Sequence, residues 1–122
     1  PITGKISGLL KGMGYYVNEV TPTQEAQYAL KAAMPPLFDA KSFVVDIGSG
    51  NTKISWVRGS SIAGLETYGA KYFQDNISDN VAYADAKAKA TQVPANLRGT
   101  CFIIGGVPFE LAKQTRNGKE RY

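Results

Sequence analysis

The sequence contains no histidine and a single cysteine, Cys101, and each shortage removes a class of chemistry. Without imidazole there is no Ser-His-Asp or Cys-His proton relay and no histidine metal site. One thiol cannot close an internal disulfide or build a thiolate cage. No apolar run approaches the roughly 18 residues of a membrane span, and the opening Pro1-Ile-Thr-Gly-Lys5 lacks the charged and then apolar profile of a signal peptide. The expectation is a soluble, cytoplasmic chain with no membrane partner. A start at Pro1 rather than Met suits a piece of a longer protein and leaves a removed targeting segment open. The chemistry that remains is that of carboxylate, hydroxyl, amide, Lys, Arg and backbone groups, suited to anions, phosphates or a hard cation such as magnesium.

At 122 residues the chain has the length of one domain, or of one domain with a fragment of another, and can bury roughly two thirds of its unfolded surface. Fourteen Lys and Arg against 10 Asp and Glu give a net charge of +4, which favours anionic partners in general. Part of that excess, Lys113, Arg116, Lys119 and Arg121, reads as a solvated end. The charge together with Tyr15, Tyr16 and Tyr72 admits a basic nucleic-acid-binding domain. No recognised binding motif accompanies it, so nucleic acid is the least favoured partner.

Along the chain, Ile2, Ile6, Leu9, Leu10 and Met13 recur at helical spacing, predicting a short amphipathic helix that ends near Gly12 and Gly14 and whose apolar stripe wants a partner. Residues 15–20 are aromatic and β-branched and read as a strand stopped by Thr21-Pro22. A helix follows, with Thr21 as N-cap, Pro22 in the first position and Gln24 closing a capping box. Ala26, Ala29, Leu30, Ala33 and Met34 form its apolar face, and Pro35-Pro36 ends it. Residues 42–47 and 52–57 read as strands joined by the turn Gly48-Ser49-Gly50-Asn51, and 62–68 as a third strand after a second turn. Residues 76–90 predict a helix capped by Asn76 or Ser78, 100–104 a buried strand with Cys101 as a small buried hydrophobe, and 108–116 a last helix. The three strands should form an antiparallel meander. The strand at 100–104, returning after a helical crossover, should lie parallel to the first.

Three segments carry candidate chemistry. In Phe43-Val-Val-Asp-Ile-Gly-Ser-Gly-Asn-Thr-Lys53 a carboxylate ends a buried strand and a turn with two glycines follows. Gly48 and Gly50 lack the Cβ atoms that would block an approaching phosphate; turn N–H groups with Ser49, Asn51 and Thr52 can donate to it, and Asp46 can hold a magnesium-bound water. An ordinary glycine-rich hairpin explains the same residues. Glu25 stands in the first turn of a helix, whose positive end suits an anion; it is a candidate base or water-positioning group, although acidic residues are common there for dipole reasons alone. Cys101-Phe-Ile-Ile-Gly-Gly-Val-Pro-Phe109 runs a strand into Gly105-Gly106 and a helix start, where a ligand can lie against the backbone. A plain strand-to-helix turn needs the same glycines.

In their order, these segments resemble the exopolyphosphatase and guanosine pentaphosphate phosphohydrolase family, within the actin, sugar kinase and heat-shock chaperone ATPase superfamily. Val17 to Ala26 resembles the stretch that opens a helix with Glu-Glu-Ala, Val45 to Thr52 the second phosphate motif Asp-Ile-Gly-Gly-Gly-Ser-Thr, and Ile103 to Val107 the glycine pair that lies near a nucleoside. The resemblance implies an α/β fold: a ribonuclease H-like (actin-like ATPase) lobe with a three-stranded antiparallel meander, a parallel strand and flanking helices. Residues 1–36 would be the tail of a first lobe with the connecting helix, and 37–122 an incomplete second lobe. It further implies Glu25 as catalytic base, Asp46 on the magnesium side, Gly48, Ser49, Gly50, Asn51 and Thr52 around phosphate, and Gly105 and Gly106 beside the nucleoside. The expected ligand is polyphosphate, a guanosine polyphosphate or a nucleotide, and a homodimer is the oligomeric option.

The sequence departs from that family pattern at three points: Lys53 stands where Glu follows the phosphate motif, Gln24 replaces the first Glu of Glu-Glu-Ala, and Val107 replaces Thr. Two readings follow. One is part of a two-lobed magnesium-dependent phosphatase that cleaves phosphoanhydride bonds, the isolated chain being inactive. The other, favoured by Lys53 and Gln24, is a non-catalytic relative that binds nucleotide or phosphate as a regulatory or assembly module.

Overall fold

The computed structural model describes residues 2–35 and 40–116. Four helices, α1 (Ile2–Gly12), α2 (Pro22–Ala33), α3 (Asp79–Ala90) and α4 (Gly106–Thr115), accompany four strands, β1 (Ser42–Ile47), β2 (Asn51–Arg58), β3 (Ser61–Tyr68) and β4 (Thr100–Ile104). The sheet has the order β3-β2-β1-β4. The expected meander is present, β1 to β2 and β2 to β3 being antiparallel, and β4 pairs parallel with β1, Asp46 standing beside Ile104. The fold is therefore α/β with a mixed sheet and flanking helices. The anticipated boundary between residues 36 and 37 lies outside the described residues.

Alternation along the strands divides the core into two layers. On one face, Leu30 of α2 and Met34 just after it cover Val44, with Val57, Ile62, Phe102 and Ile104 packed around them. On the other, Ile54, Trp56 and Ala63 meet Val93 and Leu97 from the segment between α3 and β4. Val44 is wholly buried, as expected for the central residue of a strand flanked on both sides.

Helix α2 starts where its sequence says it must. Thr21 Oγ1 accepts from the Gln24 N–H at 3.2 Å, and Gln24 Oε1 accepts from the Thr21 N–H at 2.9 Å. The helix crosses β3 at Gly64, where an added Cβ would stand 3.2 Å from the Cβ of Ala26, so two small residues set its closeness to the sheet. Helix α3 begins at Asp79, later than expected, because Asn76 adopts the left-handed conformation (φ 60°) that closes a short 3-10 turn over Tyr72–Asp75, leaving Ser78 as the cap. Helix α4 begins earlier, at Gly106, and accommodates Pro108 in its first turn, where no backbone N–H is required.

Residues 15–20 and 100–104 depart from expectation. Residues 15–20 form no strand, and Tyr16 is 93% exposed. Aromatic and β-branched residues favour a pleated surface only beside a strand that completes the ladder, and none of the described strands adjoins this segment. The segment at 100–104 is a strand but largely exposed, being at the sheet edge, and Cys101 is exposed rather than buried, although partial burial of its sulfur raises the thiol pKa. The apolar stripe of α1 lies in the open, with Ile2, Ile6, Leu9 and Met13 all exposed and only Ser7 buried.

The α2–β3 crossing makes a direct prediction. Ala26→Leu adds the leucine Cγ and two Cδ atoms against Gly64 and should lower stability by about 1–3 kcal/mol, measured by urea denaturation followed by Trp56 fluorescence.

Candidate functional site

At the C-terminal end of β1 the strand register sets Asp46 opposite Lys53, and Lys53 in turn opposite Glu66. The three side chains share the α2 face. Lys53 is only 4% exposed, although its aliphatic stem and ammonium occupy a position that alternation would give to an apolar residue. Its Nζ donates to Glu25 Oε1 at 2.7 Å, with Asp46 Oδ2 at 3.8 Å. The capping box begins α2 at a point that brings Glu25, in the first turn, down onto the sheet. Glu66 turns aside and accepts from Asn51 Nδ2 at 2.8 Å.

The structure thus brings together Glu25 and Asp46, the candidate base and the candidate metal-side carboxylate, with an ammonium between them. That arrangement fits magnesium poorly. The ion demands near-octahedral oxygen ligands at about 2.0–2.1 Å. Here Lys53 already supplies the positive charge, and no group of three acidic or cysteine side chains converges among the described residues.

The turn between β1 and β2 lies alongside. Its carbonyls are held from outside, Ala70 N–H donating to Gly48 O at 2.8 Å and Lys71 N–H to Ser49 O at 3.0 Å. Gly69 packs so closely beneath the turn that a Cβ there would fall 2.5 Å from the Asn51 nitrogen. The Gly48 N–H is committed to Asn51 O at 3.0 Å. The Ser49 and Gly50 N–H groups have no partner among the described residues, and both residues are exposed. Of the five residues expected around phosphate, Ser49 and Gly50 are therefore the ones with free donors. The Asn51 amide is engaged by Glu66, and Thr52 is buried on the opposite face, facing Tyr72 and α3.

Gly105 and Gly106 approach the same turn from β4. Gly105 has φ +123°, and an added Cβ would lie 2.3 Å from Ile47 O, so the chain passes directly over the end of β1 before entering α4. Between the turn and α4 lies a cleft of about 660 Å³. One wall is formed by Gly48, Ser49 and Lys71, the other by Gly106, Val107 and Leu111. Gly48, Ser49 and Gly106 share one cleft, whereas Gly50 and Gly105 are not among its lining residues and Glu25, Asp46 and Lys53 stand outside it on the α2 side.

Sequence reading missed Glu66 and Lys71. Glu66 was recoverable from hairpin alternation opposite Lys53; Lys71 depends on how the exit of β3 folds back under the turn. Beyond the cleft, Thr67 donates to Asp85 Oδ2 at 2.6 Å, and the Tyr72 hydroxyl donates to Asp79, a contact that raises the phenol pKa.

No protein-family model matches the chain, and no curated protein matches it either.

Because Lys53 is buried and Glu25 half-exposed, the pair lies between a surface ion pair and a fully buried one. Glu25→Gln should cost about 1–2 kcal/mol, whereas Glu66→Gln, on an exposed side chain, should change stability by less than about 0.5 kcal/mol, both read by chemical denaturation.

Proposed function

We propose that this chain is most of the second lobe, with the connecting helix, of a two-lobed protein of the actin-like ATPase class, and that it binds a phosphate-bearing ligand without hydrolysing it. The ligand class is polyphosphate, a guanosine polyphosphate or a related nucleotide, and the compartment is the cytoplasm. The meander extended by a parallel strand, with α2 and α3 on opposite faces, supports the ribonuclease H-like assignment. The free Ser49 and Gly50 N–H groups beside the glycine junction of α4 support phosphate at the turn, with the more apolar part of the ligand along Val107 and Leu111.

The observation that carries the non-hydrolytic reading is the Lys53 ammonium 2.7 Å from Glu25. A carboxylate serving as base must be within reach of the attacking water and free to accept its proton. Glu25 is instead engaged by a buried cation. Phosphoanhydride cleavage also needs charge stabilisation on both sides of the transferred group, and this chain presents one phosphate turn.

A second reading, hydrolysis, keeps one observation in its favour: Glu25 and Asp46 arise on different elements yet converge on the same point. In that reading Glu25 is the base and Asp46 the magnesium-side carboxylate, and Lys53 must first withdraw.

Gly50 has open space where a Cβ would stand, so Gly50→Val should fold and yet obstruct the approach to the turn. Its affinity for tripolyphosphate and for GDP, measured by titration calorimetry, should fall by about tenfold or more. Unchanged affinity in the folded variant would make the turn only a turn. With magnesium, the chain should release no phosphate from either compound; sustained release abolished by Glu25→Gln would restore the hydrolase reading.

A further inference from the structure

We infer that Lys53 is the built-in cation of this site, so that phosphate binding at the Gly48–Gly50 turn is independent of divalent metal. The inference rests on the phosphate-binding reading and specifies the condition under which that site works.

Two carboxylates placed near an anion-binding turn pose an electrostatic problem, because they repel each other and the arriving phosphate. A divalent ion commonly relieves such repulsion by bridging carboxylate and phosphate oxygens. Here the relieving charge is covalently attached. Lys53 extends from the central strand β2, its neighbours across the sheet are Asp46 and Glu66, and α2 closes over it with Glu25. Its side chain is 5% exposed, so the ammonium has no short route to solvent and remains where the carboxylates meet.

A magnesium ion entering between Glu25 and Asp46 would have to displace that ammonium or remain beside it. Displacement strands a cation within the α2–sheet layer, next to Ser55, which is wholly buried. Coexistence sets a divalent cation against the Lys53 ammonium, which already holds the half-exposed Glu25 carboxylate at 2.7 Å. The third nearby carboxylate, Glu66, is directed to Asn51 and does not extend the donor set. The phosphate donors at the turn, the Ser49 and Gly50 N–H groups, are backbone dipoles that need no metal to present them. The exposed Lys71 and Glu110 on the cleft walls carry opposite charges, so neither supplies a net cation on the ligand side.

The test measures tripolyphosphate binding to the unaltered chain by calorimetry, once in EDTA and once in millimolar magnesium. Affinity in EDTA within tenfold of that in magnesium is the expected result. Affinity weaker in EDTA by about tenfold or more would overturn the inference while leaving the phosphate-binding reading in place. Absence of binding under both conditions would overturn that reading and the inference with it. A second arm uses metal alone. Magnesium and calcium should leave the thermal midpoint of the unaltered chain unchanged, whereas Lys53→Gln, in which Glu25 and Asp46 lose their counter-charge, should gain a midpoint rise with either ion. A folded Lys53→Gln chain that stays indifferent to both ions, or an unaltered chain that responds, would show that Lys53 does not stand in for a cation. If the variant does not fold, the EDTA comparison on the unaltered chain still supports or overturns the inference.

Discussion

An ammonium group removed from water must find anionic or hydrogen-bonding partners, because an isolated buried charge costs several kcal/mol. Lys53 imposes that requirement at the middle of the sheet. Its partner Glu25 comes from another element, so the ion pair ties the first turn of α2 to β2 and fixes which end of the helix lies over the end of β1. The other end of α2 is held differently, by Leu30 and Met34 packed on Val44. A directional polar contact and a non-directional apolar one, about one and a half to two and a half turns further along, together specify its orientation.

The cleft depends on a second constraint, the crowding of backbone at the ends of β1 and β4. These strands are parallel, and ligands of α/β sheets characteristically sit outside the carboxyl ends of such strands. Gly105 lets the chain cross over Ile47 O, while Gly69 lets the exit of β3 pass beneath the turn at 48–51 and donate to its carbonyls through Ala70 and Lys71. With the carbonyls tied down from below, the unpaired N–H groups of the turn are left for what lies outside it. The turn, the glycine junction and the start of α4 therefore form one assembly, although β2, β3, α3 and β4 separate the turn from the junction in sequence.

The charge node and the cleft meet at β1 but use different faces. Strand alternation sends Asp46 to the α2 face, places Ile47 at the cleft and leaves Gly48 to begin the turn. A ligand at the turn would therefore have the carboxylate and ammonium groups behind it rather than in the walls that enclose its apolar part. On the α2 face the carboxylates and the ammonium neutralise one another, whereas the cleft is lined by Gly48 and Gly106, by the apolar Val107 and Leu111, and by the oppositely charged Lys71 and Glu110.

Much of the local structure was legible in residue order. Thr21, Pro22 and Gln24 specify a helix start through bonds spanning three residues, and the alternation in 42–68 specifies a meander, because both rest on interactions between sequence neighbours. The parallel return of β4 was also readable, since a helical crossover admits little else. The failures lay where a residue's fate depends on a neighbour distant in sequence: 15–20 has strand composition without a strand beside it, and Cys101 has core composition at an edge. The site divides in the same way. Sequence by itself determined which groups were available, the carboxylates Glu25 and Asp46, the lysine at 53 and the glycines at 48, 50, 105 and 106. Only the tertiary structure decided that Lys53 lies between the two carboxylates and that Gly48 and Gly106 face one cleft, because those proximities arise from the packing of α2 on the sheet and from the parallel pairing of β1 with β4.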